Sequence, residues 1–239
     1  MAPNVAGITV NGYTGTIDIN GFNLTTTGTN SFVSGTINNG GAAAAVTLNT
    51  TGTTTFSGTT FGAAINGSTG RIFFNGSTFN GNVSVSKTDN SNDNSNGNNV
   101  FNGITTITNL SGGHVLLGYT NRDQFNGPAT FNNNGSYRFY FAYNHGGQTT
   151  TFTDLTLNTN KSGGADGWSF LQMRVTIQVS PFPEHSPSIV MAHYKAITGS
   201  YKARVLRQPM ALFPLILPIA IQQQPFKWGL MVPPPTMET

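Results

Sequence analysis

From Phe32 onward, short runs of alternating apolar and polar residues take turns with clusters of Asn, Gly and Ser. A phenylalanine marks each cycle. Phe32, Phe56, Phe79, Phe101, Phe125 and Phe152 stand 24, 23, 22, 24 and 27 residues apart. Turn-forming pairs follow several of them: Ser57-Gly58, Asn80-Gly81, Asn102-Gly103 and Asn126-Gly127. Next comes a short segment such as Val83-Ser84-Val85-Ser86, Thr105-Thr106-Ile107-Thr108, Ala129-Thr130-Phe131-Asn132 or Leu155-Thr156-Leu157-Asn158. Most of these alternate with a period of two, the pattern of a strand with one buried face. A second strand is expected at Ile72–Phe74, Val115–Tyr119 and Tyr137–Tyr143, with Asn, Gly and Ser supplying turns and positive φ between strands. No helix is expected before Gln172: Glu is absent there and Lys and Leu are scarce.

A unit of this length, with two or three short strands, cannot cover its own apolar face. Coiling the chain so that equivalent strands stack solves the problem. The expectation is an all-β fold, a parallel β-helix of about six coils over residues 1–171, each coil rising about 4.8 Å. The recurring Phe would form an internal aromatic ladder, and the Asn after them a side-chain amide ladder. A sandwich of short antiparallel strands is the alternative, although it requires no such self-similarity. The first thirty residues are compatible with the repeat but drift from it.

Composition sharpens this picture. Charged residues are only 8% of the chain, against about 25% in an average globular domain. Through Leu171 there are five cationic and six anionic side chains; beyond it there are six and two, so −1 and +4 make the net +3. The basic excess belongs to the tail, and nucleic acid is not an expected partner of the repeats. The chain has no Cys, which excludes disulfides and thiolate chemistry. Met1–Gly7 carries no signal-peptide pattern, so an internal piece of a longer exported chain is expected. An array ending at Leu171 would also expose a sheet edge and self-associate unless the tail covers that edge.

The texture changes at Gln172. Residues 172–239 hold ten of the twelve Pro, five of the six Met and both Glu. Codons permitted for Gln172–Gln178, read two bases later, allow Asn-Ala-Gly-Asn-Asn-Thr-Gly, and Val179–Glu184 allows Val-Thr-Phe-Ser-Gly-Thr. The latter contains the phrase found in frame at Thr55-Phe56-Ser57-Gly58-Thr59. The same frame restores Thr-Thr-Thr-Phe-Gln from Gln222–Phe226. The tail therefore reads as an out-of-frame segment, disordered or poorly packed and without a native fold. A genuine Pro-rich extension is the alternative. Its apolar run Met210–Ile221 is too short to span a bilayer and contains Pro214 and Pro218.

Candidate chemistry is sparse. Asp89 and Asp93 lie in a loop with oxygen ligands at alternate positions, as in calcium loops, but no closing Glu follows. Gly163–Gly167 offers one copy of a calcium-repeat phrase. His114 and His145 belong to no recognisable catalytic motif. Tyr137, Phe139, Phe141 and Tyr143 would share one face of a strand. Arg138 and Tyr140 lie on the other, as candidate glycan contacts. Thr runs suggest an ice- or water-ordering face, yet no Thr-x-Thr phrase recurs at one phase of every unit. Thr as a filler of outward strand positions is the simpler account.

Asn99-Val100-Phe101-Asn102-Gly103-Ile104-Thr105-Thr106-Ile107-Thr108-Asn109 and Asp123-Gln124-Phe125-Asn126-Gly127-Pro128-Ala129-Thr130-Phe131-Asn132-Asn133 resemble the Asn/Gly/Thr-rich repeat arrays of secreted and cell-surface proteins of Bacteroidetes. The likeness covers roughly Phe32–Leu171. It implies export, a β-solenoid, and a spacer or adhesive role without catalytic residues or cofactors. Expected partners are glycans, other surface proteins and neighbouring repeats, with no transmembrane segment and an extracellular or cell-surface location. A polysaccharide-active β-helix, marked by clustered Asp beside a basic residue in a groove, is the alternative, as is a glycan- or ice-binding solenoid.

Overall fold

The computed structural model describes residues 4–41, 43–141, 143, 148 and 150–159, together with the backbones of strands at 168–170, 174–177 and 189–192. The chain runs through about seven turns of a parallel β-solenoid, and each turn lays one strand on each of three faces. The first turn is β1 (Asn4–Val5), β2 (Thr9–Val10) and β3 (Thr16–Asp18); the second is β4 (Leu24–Thr26), β5 (Asn30–Phe32) and β6 (Thr36–Asn38). The third is β7 (Ala45–Asn49), β8 (Thr53–Phe56) and β9 (Thr60–Phe61), and the fourth is β10 (Ala64–Thr69), β11 (Arg71–Phe74) and β12 (Thr78–Phe79). The fifth is β13 (Val83–Lys87), β14 (Asp93–Asn94) and β15 (Val100–Phe101). The sixth begins with β16 (Thr105–Asn109) and β17 (Val115–Leu117) and closes on the front of β18 (Gln124–Asn133). The back of β18 opens the seventh turn, followed by β19 (Phe139–Phe141) and the front of β20 (Thr150–Thr159). Beyond lie β21 (Trp168–Phe170), β22 (Arg174–Ile177) and β23 (Ile189–Ala192).

Of the expected tail, the described parts are strands alone. β22 pairs in parallel with β20, and β23 returns antiparallel on β22. The rest of 172–239 lies outside the described residues, as do His145 and the Gly163–Gly167 phrase. No helix among the described residues is long and apolar enough to cross a membrane.

The expected strands are present. β13, β16 and the back halves of β18 and β20 stack on the first face in register, with Val85, Ile107, Phe131 and Leu157 as Cα partners. The Phe series, however, is two ladders on two faces. Phe32, Phe56 and Phe74 stack on the second face with ring centroids 5.5 and 5.4 Å apart. Phe61, Phe79, Phe101, Phe125 and Phe152 stack on the third at 5.5, 4.7, 4.6 and 4.7 Å. Edge-to-face contacts such as Phe56–Phe79, at 5.4 Å, join the ladders across the interior. The fourth turn is short: Phe56 pairs with Phe74, and Phe61 with Phe79, each 18 residues on. The shorter loops there make Phe56 and Phe79 look like one series. The coil beyond the expected six is the first, β1–β3, where Val10 stands at the level of Phe32 and no marker Phe occurs.

The expected amide ladder on the third-face turn is present, with Asn126 Nδ2 donating to Asn102 Oδ1 and Asn102 Nδ2 to Asn80 Oδ1, both at 2.7 Å. A second polar ladder lies inside the preceding corner. Ser77 Oγ accepts from Thr59 N at 3.2 Å, Asn99 Oδ1 from Ser77 N at 2.9 Å, Asp123 Oδ1 from Asn99 N at 2.9 Å, and Thr150 Oγ1 from Asp123 N at 3.3 Å. All four acceptor side chains are buried. They satisfy backbone donors where the chain bends between strands and leaves the sheet ladder.

Between turns four and five the second face breaks into two four-stranded sheets, β2-β5-β8-β11 and β14-β17-β19-β21. The Asp- and Asn-rich loop after β13 enters here. Asp93 Oδ2 accepts from Ile72 N at 2.8 Å, and Ser95 Oγ accepts from Phe74 N at 3.0 Å. Side-chain oxygens thus stand in for the carbonyls of a continuing ladder.

Candidate binding surfaces and the buried charges beneath them

The parity of β14, β17 and β19 places Asp93, Val115 and Phe139 inward as Cα partners, and Asn94, Leu116 and Tyr140 on the opposite side, where Leu116 is itself buried. Just before each strand, Asn92, His114 and Arg138 continue the outward surface. His114 N donates to Asn92 Oδ1 at 3.1 Å, and its Nε2 lies 2.6 Å from Asn94 Oδ1. The imidazole meets the Tyr140 ring edge-on at 5.0 Å and lies 5.9 Å from Tyr137. Burial lowers the His114 pKa below its ordinary value, which favours the neutral ring near pH 7. Burial raises the Tyr140 phenol, which shares hydrogen bonds with Tyr137 and Arg138. Past the ends of these strands, Tyr119 and Tyr143 stack at 5.5 Å and 10°. Tyr137 and Tyr143 are each 44% exposed. The two expected glycan contacts, Arg138 and Tyr140, therefore meet on one face, joined by His114 and Tyr137. Strand parity alone puts Tyr143 on a face with Phe139 and Phe141. Those two are core, whereas Tyr143 lies past the strand and turns out.

The first face carries a different surface. Thr25, Thr47, Asn66, Ser84, Thr106, Thr130 and Thr156 follow one another as Cα partners along an outward row. A second row, two residues on, runs Asn49, Ser68, Ser86, Thr108, Asn132 and Asn158. A fixed-phase array thus exists, with Ser and Asn replacing Thr at several levels, so a Thr-only pattern does not reveal it.

The carboxylates considered for a cation are placed apart in character. Asp89 is on the surface and its Oδ1 accepts from Ser91 N at 2.6 Å, hydrogen bonds that lower its pKa. Asp93 is interior, with Oδ1 2.8 Å from Arg71 Nε and Oδ2 4.0 Å from Lys87 Nζ. Burial raises its pKa against the pull of Arg71 and the Ile72 N–H. Among the described residues no three of His, Asp and Glu gather as a metal group. The Asp-plus-base cluster that a polysaccharide-active helix calls for does occur, as Arg71, Lys87 and Asp93, but Asp93 and Lys87 are fully buried beneath the surface.

Asp123, just before β18, is a fully buried carboxyl. Its Oδ1 takes the N–H and the side-chain amide of Asn99 at 2.9 and 2.8 Å, and Oδ2 has no hydrogen-bond partner among the described residues. Burial lifts its pKa from 3.8 to about 7. The folded protein holds this proton where the unfolded chain has released it. The associated stability is complete below about pH 4 and is lost as pH rises through about 7, a total of about 2–4 kcal/mol. Denaturant titrations at pH 5 and pH 8 should show about two thirds of that drop, and Asp123→Asn should flatten it. An unchanged midpoint in the wild type would contradict the buried-acid assignment.

Comparison with family models, with curated proteins and with solved structures found no match for this chain.

Proposed function

We propose that the chain is a non-catalytic structural and adhesive module of an exported bacterial protein, and that the aromatic surface over β14, β17 and β19 is its saccharide contact. Support comes from one arrangement above all: Tyr137 and Tyr140 meet His114 beside Arg138 on one outward surface, and the Tyr119–Tyr143 pair stacks past the ends of the same strands. Tyr rings offer apolar faces to the C–H faces of sugars and hydroxyls to their rims. A planar guanidinium and a neutral imidazole supply directed hydrogen bonds beside them. The likeness to repeat arrays of Bacteroidetes surface proteins agrees with export and with a spacer role.

A glycan array with the full chain tests the proposal. Binding to a defined saccharide class is expected, weakened about tenfold by Tyr140→Ala, the factor for 1.4 kcal/mol, near the upper range for one aromatic contact. Equal binding by the variant would remove this surface from the account. The paired Thr, Ser and Asn rows of the first face favour a second reading, an ordered-water surface that binds ice. Inhibition of ice recrystallisation by the wild type, lost in Thr106→Leu, would favour it; no inhibition would dismiss it.

A further inference from the structure

We propose that Lys87 and Asn109 join covalently, the Lys87 amine displacing ammonia from the Asn109 carboxamide to staple turn five to turn six. The inference does not rest on the saccharide reading. Lys87 closes the alternation Val83, Val85, Lys87, so its parity sends it into the interior, and it is fully buried. Its Cα partner on the next strand is Asn109, also fully buried. Neighbouring strands lie about 4.8 Å apart, within reach of a lysine side chain bending toward the next coil. Lys87 Nζ donates to the Asp89 carbonyl and, at 2.9 Å, to Ser111 Oγ. The same Ser111 Oγ lies 2.9 Å from Asn109 Oδ1, which also accepts from Ser111 N at 3.2 Å. Asn109 Nδ2 donates to the Gly113 carbonyl at 2.8 Å.

These contacts supply the parts of an acyl transfer. Two donors on Asn109 Oδ1 polarise the carbonyl and would hold the negative charge of a tetrahedral intermediate. Burial lowers the Lys87 pKa against the pull of Asp93, which favours the neutral amine that attacks. Asp93 Oδ2, 4.0 Å from Nζ, is the nearest carboxylate to carry a proton. In the step, the Nζ lone pair forms a bond to Asn109 Cγ. One Nζ proton passes by way of Asp93 to Nδ2, the Cγ–Nδ2 bond breaks, and ammonia leaves. A secondary amide remains, and Asp93 ends as it began; no oxidant or cofactor enters. Asp93 itself is the poorer acyl partner, because both its oxygens already accept hydrogen bonds, Oδ1 from Arg71 Nε and Oδ2 from the Ile72 N–H.

Peptide mapping of the purified full chain, after denaturation and trypsin digestion, tests the bond directly. The expected result is a branched peptide linking Lys87 to Asn109, no cleavage after Lys87, and a mass lower by one ammonia. The branch, rather than the mass alone, is diagnostic, since succinimide formation at Asn-Gly pairs such as Asn102-Gly103 also releases ammonia. Lys87→Met, which keeps an apolar stem of similar length, should lack the branch. Free Lys87 with ordinary cleavage in the folded wild type would overturn the proposal. So would a branch to Asp93 with loss of water. The wild-type map is decisive whether or not the variant folds.

Discussion

Phe101→Ala is expected to destabilise the solenoid by about 3–5 kcal/mol, the usual cost of truncating a buried Phe. Phe101 sits in the middle of the third-face ladder, parallel to Phe79 at 4.7 Å and to Phe125 at 4.6 Å and 3°. It also meets Phe74 edge-on at 5.5 Å, so it ties the ladders of two faces together. Its ring has no solvent contact, and the rings above and below are fixed by backbone register and cannot close the gap. Phe101→Leu should cost less, because it leaves a smaller void. Equilibrium unfolding in guanidinium would measure both. A loss below about 1 kcal/mol for Phe101→Ala would contradict a continuous aromatic core, given the value expected for a rigid site.

Asp93→Ala is expected to cost about as much, roughly 3–5 kcal/mol, because it removes one partner from a buried charged cluster. The substitution strips the acceptor from Ile72 N and from Arg71 Nε and removes the carboxylate nearest Lys87. Asp93 also joins the two sheets of the second face, so the damage should concentrate at the junction of β11 and β14. Hydrogen exchange would show this as early deuteration of Ile72 and Phe74 while Val85 and Ile107 stay protected. Uniform loss of protection, or none, would count against a side-chain bridge between the sheets.

The strands are legible in the sequence because inward and outward residues alternate strictly, as in Val83–Lys87, and because Asn follows Phe at Asn80, Asn102 and Asn126. Face assignment is not legible. Phe serves two inner faces alike, and the 18-residue turn brings Phe56 and Phe79 to a spacing of 23 that mimics the repeat. The interior charges are half legible: Lys87 stands at the apolar phase of its strand, one position beyond the Val83–Ser86 segment in which the alternation is plainest. Asn99 and Asp123, 24 residues apart, are level positions in one corner ladder. Their burial depends on how the chain turns between strands, which periodicity does not report. Strand parity singles out Arg138 and Tyr140, but His114 joins them only through the stacking of turns.

The most direct test of a non-catalytic adhesive solenoid is to incubate the full chain with a panel of polysaccharides and measure retention and product release in the same samples. Retention on at least one polysaccharide is expected, weakened by Tyr140→Ala, with no new reducing ends and no unsaturated sugars. Release of shortened products by the wild type would contradict the non-catalytic reading, and the absence of retention on every polysaccharide would contradict the adhesive one.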